Sequence, residues 1–193
     1  MTGFRIAVIG FGATGAQCVR ALTALPAVST VLCHDERRER IDVLRSEFGD
    51  QVEPCGPDGG DATVVVLATP VGGHARLASS VIHRGANVVS LSDGIDDVRD
   101  LFDLDEQARA ASAALVVGAG FAPGLTCLLA RHAGDALDEV VEISVATAGT
   151  AGPACARQHH AAMKLAAWDW FEGAWVERQG GSGRDLVWFP PPI

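Results

Sequence analysis

A glycine motif near the start of the chain constrains the fold more than any other sequence feature. The apolar run Phe4–Ile9 is followed at once by Gly10-Phe11-Gly12-Ala13-Thr14-Gly15, which has the spacing G-x-G-x-x-G, and a helical pattern begins at Ala16. In a strand–turn–helix unit, the first glycine permits a tight turn, the second lets the backbone approach a pyrophosphate, and the third allows helix and strand to pack closely. The motif therefore predicts that residues 10–15 bind a dinucleotide; the alternative is a glycine-rich turn in another α/β fold.

An acidic residue lies at the distance from this motif that dinucleotide-binding folds use. Asp35 stands 20 residues after Gly15, at the end of the next apolar run, where a carboxylate can bind ribose hydroxyls. Arg37 follows closely, and a guanidinium there would favour the 2′-phosphate of NADP, whereas Asp35 and Glu36 would repel that phosphate. We therefore expect NAD or NADP as the cofactor, with the two carboxylates favouring NAD.

Further along the chain, apolar runs alternate with amphipathic segments. Residues 63–68 are rich in β-branched side chains, which suits a parallel strand buried on both faces. The pattern predicts further strands over 51–55, 87–91 and 114–117, helices over 36–48, 72–84 and 98–113, and a loop rather than a helix over 55–60. The fold class is therefore α/β, with a doubly wound parallel Rossmann sheet in a dinucleotide-binding domain over residues 1–122.

The loops that follow the predicted strands meet at one edge of such a sheet, where ligands bind. One of them begins at Ala68, and another, over residues 118–125, contains three glycines and a proline. We expect the nicotinamide of the cofactor to lie against residues from both loops: Ala68, Thr69, Pro70 and Gly120. A domain hinge without ligand contact is the other interpretation of the second loop.

Two polar residues beside these loops each have two interpretations, as a helix cap or as a ligand contact. His74 opens the helix after Pro70, and we interpret it as a helix cap rather than as a ligand contact. Asp93 follows a predicted strand, where it would either contact the ligand or cap the next helix.

After residue 122 the pattern changes to a smaller α+β region, interpreted as a partial substrate or dimerisation domain over 123–193. We predict a helix with Pro123 in its first turn, a strand over 139–147, a helix over 155–171, and a hairpin of 175–179 with 186–189. His160 and Lys164, four residues apart, would share a face of the second helix and are the candidate catalytic residues, as a general acid and a substrate-binding group. A core-edge histidine and a solvated lysine are the alternative.

Composition narrows the classes of partner. The chain has 15 basic and 24 acidic residues, with a net charge of −9 and no basic stripe, so we expect no nucleic acid partner. No apolar run is long enough for a membrane helix, so no membrane partner is expected. Five scattered cysteines without a C-x-x-C pair indicate reduced thiols in the cytoplasm and no metal site. The lack of tyrosine excludes the Tyr-x-x-x-Lys chemistry of short-chain dehydrogenases.

Residues 4–130 resemble the saccharopine dehydrogenase-like group of NAD(P)-binding proteins. The resemblance rests on the glycine motif, on the strand that ends at Pro70, and on residues 98–125, which end in Gly120-Phe121-Ala122-Pro123-Gly124-Leu125. It implies a Rossmann domain followed by an α+β substrate domain. The implied activity is that of an oxidoreductase that transfers a hydride to or from a small amino- or keto-acid substrate.

A second group is similar over a shorter stretch. Ala68-Thr69-Pro70 followed by His74 resembles the glucose–fructose oxidoreductase group, in which a Glu-Lys-Pro would follow the next strand. Ser90-Leu91-Ser92-Asp93 stands there instead, without the catalytic lysine.

Members of the saccharopine group are longer than this chain, so we expect a truncated substrate domain. An open sheet edge in that domain would favour pairing with a second copy, as a homo-oligomer such as a dimer. Two other functions stay open at this point: a dinucleotide-binding module without turnover, and a methyltransferase with a similar glycine loop.

Overall fold

The computed structural model describes residues 3–149, 152–183, 185–189 and 191. The chain divides into two compact units, residues 1–143 and residues 144–193. The sequence placed a boundary between residues 122 and 123, and the assignment of cofactor and substrate to the two sides of that boundary stays a prediction.

The first unit contains a six-stranded parallel sheet, with helices between its strands. The order of the strands is β3-β2-β1-β4-β5-β6, which confirms the predicted doubly wound Rossmann sheet. The strands are β1 (Phe4–Ile9), β2 (Val28–His34), β3 (Val52–Pro54), β4 (Val64–Leu67), β5 (Asn87–Ser90) and β6 (Leu115–Val116). The helices are α1 (Ala13–Thr23), α2 (Arg38–Phe48), α3 (His74–His83), α4 (Ile95–Phe102), α5 (Asp105–Ala110) and α6 (Leu125–Gly134), with a 3-10 turn at Gly49–Gln51.

The sheet separates two apolar cores because successive side chains of a strand point to opposite faces. In β1, Ala7 and Ile9 join a core with Val81 and Leu101 from the helices α3 and α4. Val8 points the other way and joins a core with Val19 and other residues of α1 and α2. Burial on both faces explains why the central strands read as continuous apolar runs rather than as alternating ones.

The strand order places a topological switch point between β1 and β4. These neighbours pair in parallel from Ile6 opposite Val64 to Ile9 opposite Leu67, so both strands end at the same edge. Their helices leave toward opposite faces of the sheet, and the loops after the two strands diverge to form a crevice there. As predicted, the connection between β3 and β4 contains no helix.

The predicted helix over 98–113 is wrong, because the structure has two shorter helices there. The Leu104 amide bonds to the Leu101 carbonyl in a tight i,i+3 turn, and α5 then starts at Asp105. Leu101 and Ala108, on either side of the break, are both buried in the same core.

The helix α6 also starts later than predicted, at Leu125. Gly124, its N-cap, has φ of +125°, which a helix does not adopt, so Pro123 lies in the preceding turn and not in the first helical turn.

The strand predicted over 139–147 is absent from the structure. Val141, Ile143 and Val145 alternate along this segment as a strand would, but all three are exposed, and the segment pairs with no strand of the described residues. A strand needs a hydrogen-bonded partner, which alternation alone does not supply.

The second unit contains α7 (Pro153–Ala162) and an antiparallel pair, β7 (Ala166–Phe171) and β8 (Ala174–Gln179). The predicted α+β class is correct, but the helix predicted over 155–171 ends at Ala162, and the predicted pairing with 186–189 is wrong. Glu172 and Gly173 both have positive φ, as a two-residue type I′ hairpin turn requires, so β8 follows β7 directly.

Across the part of the chain that the structure describes, no helix is long and apolar enough to cross a membrane.

Candidate functional site

The glycine loop after β1 has two glycines that the fold itself requires. Gly10 has φ of +94°, and a Cβ atom added there would lie 2.8 Å from the carbonyl oxygen of Ala68. A Cβ atom on Gly15 would clash with the Gly10 carbonyl oxygen, because α1 crosses β1 at this point. Any larger side chain at either position would therefore force the helix and the strands apart.

Gly12 is different, because no atom lies within 4 Å of a Cβ atom placed on it. It is the N-cap of α1, and no side chain caps that helix or places an acidic group in its first turn. The amides of Ala13 and Thr14, in the first helical turn, have no carbonyl four residues earlier in the helix to bond to. Gly12, Ala13 and Thr14 are all exposed. This end of α1 is thus an open surface of backbone N–H groups with a positive dipole end.

Phe11 fixes the glycine loop from the side of the apolar core. Its ring is buried in the core that contains Val8 and Val19. Its backbone N–H donates a hydrogen bond of 2.6 Å to Oδ2 of Asp35. Phe11 therefore contributes to the site by fixing the loop, with its side chain turned away from the open surface.

Asp35 lies directly after β2, beside the glycine loop. Its side chain is only 7% exposed. Besides the Phe11 N–H, the carboxylate accepts the backbone N–H of Arg37 at 2.9 Å on Oδ1 and the guanidinium of Arg40 at 3.1 Å on Oδ2. Burial alone would raise the pKa of this carboxyl group, but the three donors outweigh it and the pKa is lowered. Asp35 is therefore a fixed carboxylate.

Arg40 is a residue of this site that sequence reasoning missed. Its ion pair with Asp35 lies between α2 and the end of β2, and nothing in the local pattern distinguishes Arg40 from the other arginines of α2. Arg37, which the sequence singled out, contributes its backbone N–H to Asp35, and its side chain is exposed.

On the other side of the switch point, a buried histidine joins the loops after β4 and β5. His74 is 0% exposed. Its Nε2 lies 3.0 Å from Oγ1 and 3.2 Å from the carbonyl oxygen of Thr69, and its Nδ1 lies 2.9 Å from Oγ of Ser90. The interpretation of His74 as a cap is therefore wrong, because its ring holds the two loops and Gly73 is the N-cap of α3.

A buried carboxylate supports this arrangement from α4. Asp97, which is 5% exposed, accepts the backbone N–H of Gly72 at 2.7 Å, the hydroxyl of Ser92 at 2.7 Å and the backbone N–H of His74 at 3.3 Å. Burial opposes ionisation, but these donors outweigh it, and the pKa of Asp97 is lowered. Asp97 thus satisfies amides at the start of α3, which no side chain on that helix caps.

The loop after β6 is tied to the same network through the Ser90 backbone. The Ser90 carbonyl accepts the N–H of Ala119 at 3.0 Å. The loop then folds back on itself and forms a β-bridge between Gly120 and Gly124. A Cβ atom added to Gly124 would clash with the carbonyl oxygen of Gly120. Three loops, after β4, β5 and β6, are therefore held together by Ser90 and His74.

The structure thus distributes the candidate site residues over two halves of one sheet edge. The glycine loop and Asp35 follow β1 and β2, whereas Thr69 and Gly120 follow β4 and β6. Asp93 does not cap α4, whose N-cap is Gly94.

The candidate catalytic pair lies in the second unit. His160 is in the last turn of α7 and Lys164 lies beyond the end of that helix, so they do not share a helix face as predicted. Both are exposed. Their catalytic role stays a prediction.

Sequence reasoning did not identify the roles of Ser90, Ser92 and Asp97. Ser90 could have been found from its position, because it is a polar residue at the end of a buried strand. A buried hydroxyl needs a hydrogen-bond partner, which predicts a second polar residue nearby.

The first unit has a Rossmann-type fold, as its strand order and its glycine loop beside Asp35 show. NAD(P)-dependent oxidoreductases have folds of this class. No protein-family model matches the sequence, and no curated protein matches it.

The solved structures that share the fold include two dehydrogenases and a protein solved with NAD. Saccharopine dehydrogenase (L-Glu forming) from Saccharomyces cerevisiae aligns with a TM-score of 0.59 and 20% identity, over 69% of this chain and 31% of that one. Scyllo-inositol dehydrogenase from Lactobacillus casei, solved with NAD(H) and scyllo-inositol, aligns with a TM-score of 0.53 and 16% identity, over 69% and 40%. GenD2 from gentamicin A biosynthesis, solved with NAD, aligns with a TM-score of 0.52 and 26% identity, over 72% and 41%.

These likenesses confirm the predicted resemblance at the level of the fold. In each pair the chain spans well under half of its neighbour's length, between 31% and 41%.

Proposed function

We propose that the chain binds NAD or NADP at the carboxyl edge of its parallel sheet and acts as an NAD(P)-dependent oxidoreductase. The observation that carries the proposal is the open surface at Gly12, where exposed amides of α1 stand beside the fixed carboxylate of Asp35. Such a surface suits a pyrophosphate, and the carboxylate suits the ribose next to it.

In this proposal the first half of the sheet edge binds the adenosine side of the cofactor. The amides of Ala13 and Thr14 face the pyrophosphate, and Gly12 keeps the approach open. Asp35 has three donors, and a carboxylate accepts about four hydrogen bonds, so Oδ1 has capacity for one ribose hydroxyl. A 2′-phosphate would meet this carboxylate as a like charge, which favours NAD over NADP.

The second half of the edge takes the nicotinamide. Ala68, Thr69, Pro70 and Gly120 flank it in this proposal, in loops that His74 and Ser90 hold together. The bound cofactor supplies hydride transfer, and the protein orients its ring and keeps the loops in place. The neighbours solved with NAD(H) or NAD support this assignment by their shared fold.

The substrate proposal is a small amino or keto acid, on the resemblance to the saccharopine group. His160 and Lys164 are proposed as substrate-binding and acid–base groups, and residues 123–193 as substrate or dimerisation domain in a homo-oligomer. Their support is the residue types alone: a histidine can move a proton and an ammonium can bind a carboxylate.

Isothermal titration calorimetry with NADH and NADPH tests the proposal. The wild type is expected to bind NADH, and Gly12→Ala is expected to lose at least tenfold in affinity, because its methyl group would occupy the pyrophosphate position. Gly149→Ala is the matched control, since a Cβ atom there also meets no atom within 4 Å, in an exposed segment of the second unit.

Binding without turnover of any amino- or keto-acid substrate would reduce the proposal to a dinucleotide-binding module. Failure of both dinucleotides to bind a cooperatively folded sample would contradict it.

A further inference from the structure

The side-chain hydrogen bonds of Ser90 determine which nitrogen of His74 carries the proton. Ser90 Oγ accepts the backbone N–H of Ser92 at 3.3 Å, so its own hydrogen must go elsewhere. Among the hydrogen bonds of the described residues, the remaining partner of Ser90 Oγ is Nδ1 of His74, at 2.9 Å. A buried hydroxyl needs an acceptor for its proton, so Nδ1 is the acceptor.

The proton of the neutral imidazole then resides on Nε2. That nitrogen faces the two oxygens of Thr69, and the carbonyl oxygen, at 3.2 Å, can only accept. The hydroxyl oxygen, at 3.0 Å, shares the same N–H as a second acceptor. Both nitrogens of His74 are satisfied in this arrangement, and so is the Ser90 hydroxyl.

The consequence concerns the hydrogen of the Thr69 hydroxyl. Its oxygen receives the Nε2–H bond, so its own hydrogen is not used by His74, and the hydrogen bonds of the described residues give this hydroxyl no other partner. Thr69 is half-buried and directly follows Leu67 and Ala68 at the end of β4. Its free donor therefore lies at the edge of the sheet where the second half of a dinucleotide would lie.

We propose that His74, as the Nε2–H tautomer, is a positioning residue that turns the Thr69 hydroxyl into a hydrogen-bond donor for an acceptor oxygen on the nicotinamide. The proposal rests on the proposed function, because it assigns a ligand atom to the site. Its first part, the tautomer, concerns the protein alone.

The network also explains why the orientation is maintained. The ring is fixed by Ser90 on one side, and the backbone N–H of His74 is fixed by Asp97 on the other, so the imidazole cannot turn without losing buried hydrogen bonds. The loss of these hydrogen bonds would raise the free energy of the folded chain, because the ring is fully buried and water cannot replace the lost partners.

Two measurements on the full chain test the proposal. The first is a ¹⁵N NMR spectrum of histidine-labelled protein without ligand, with His74→Gln used to assign the His74 signals. The expected result is a protonated Nε2 and an unprotonated Nδ1. A protonated Nδ1 with an unprotonated Nε2 would overturn the proposal whatever the protein binds.

The second measurement compares the affinities of NADH and of ADP-ribose, which lacks the nicotinamide. Thr69→Val is expected to weaken NADH binding about threefold to tenfold, the effect of one neutral hydrogen bond, and to leave ADP-ribose binding unchanged. Thr69→Ser keeps the hydroxyl and is expected to bind NADH within about twofold of the wild type. Thr63→Val is the matched control, since Thr63 precedes β4 at the opposite edge of the sheet.

Two variants of His74 distinguish the contribution of Nε2 to NADH binding from that of Nδ1. His74→Gln keeps a donor toward Thr69, and we expect NADH affinity within about twofold of the wild type; His74→Asn keeps only an acceptor toward Ser90 and should weaken NADH about threefold to tenfold. Equal losses for NADH and ADP-ribose, or no loss in Thr69→Val, would overturn the inference while leaving the proposed function intact. A wild type that binds neither ligand would overturn the proposed function, and the nicotinamide contact with it.

Discussion

Oδ2 of Asp35 accepts the backbone N–H of Phe11 at 2.6 Å, and this bond joins the end of β2 to the glycine loop after β1. The two residues are 24 positions apart in the chain, and their contact fixes the loop and the carboxylate together. Because the Phe11 ring is buried below and the Gly12 surface is open above, the loop is held from the core side only. The adenosine half of the proposed site is therefore held in place by contacts within the protein itself.

The role of this carboxylate in cofactor choice is tested by Asp35→Ala. We expect the variant to bind NADH at least tenfold more weakly and to lose its preference for NADH over NADPH, because the negative charge opposing a 2′-phosphate is gone. Calorimetric titration with both dinucleotides gives the two affinities. Asp42→Ala is the control, since Asp42 is an exposed carboxylate on α2 with no place in the proposed site; an unchanged preference in Asp35→Ala would contradict this role.

The three glycines of the motif are expected to separate into structural and ligand-facing positions. Gly15→Ala should lower the free energy of unfolding by about 1–3 kcal/mol, as overpacking does, because its methyl group meets the Gly10 carbonyl. Gly12→Ala should cost no more than about 1 kcal/mol, since its methyl group meets open space at an N-cap. Urea unfolding measures both, and equal destabilisation by the two variants would contradict the assignment.

The carboxylate of Asp97 predicts a pH dependence of stability. Its pKa is lower in the folded chain than in the unfolded chain, so its stabilisation is present above the unfolded pKa and is lost as the pH falls through the folded pKa. Asp97→Asn should lower the free energy of unfolding at pH 7 by about 2 kcal/mol, the value of bonds to a charged acceptor.

Urea unfolding between pH 7 and pH 2 checks this prediction. The difference between wild type and Asp97→Asn should shrink as the pH falls below about 4, the usual pKa of an unfolded aspartate. Asp96→Asn is the control, because Asp96 is the exposed neighbour on the same helix. A difference that stays constant over this range would exclude an ionised Asp97.

Leu101 and Phe102 are neighbours in α4 with opposite burial, so their substitution should have different effects on stability. Leu101→Ala should cost about 2–5 kcal/mol, because Leu101 is completely buried beside Val81 and Ala108. Phe102→Ala should cost far less, since that ring is 65% exposed on the next residue of the same helix. Thermal unfolding of both variants measures the difference; similar costs would contradict the burial of Leu101 and the exposure of Phe102.

The features that the sequence predicted well are those with a local physical cause. A glycine with positive φ between a buried strand and a helix, as at Gly10, leaves few other folds available. A β-branched run such as that around Val65 favours a strand buried on both faces, and alternation of such runs with helical segments favours a doubly wound parallel sheet.

The features that it missed depend on partners far apart in the chain. His74 and Ser90 are 16 residues apart and His74 and Asp97 are 23 apart, so neither pair leaves a periodic signal. The hairpin was missed for a different reason. Its aromatic residues Trp168 and Trp170 alternate as a strand requires, but the two-residue turn at Glu172 and Gly173 contains a glutamate with positive φ, which composition does not suggest.

The central claim is that a dinucleotide binds on the backbone amides at the start of α1. The most direct test is a ¹⁵N–¹H NMR titration of the full chain with NADH, following the assigned amide signals. We predict the largest shifts for Gly12, Ala13 and Thr14, with a smaller shift for Phe11, whose N–H already bonds to Asp35. Saturable shifts confined to other parts of the chain, or no shifts at millimolar NADH, would contradict the account.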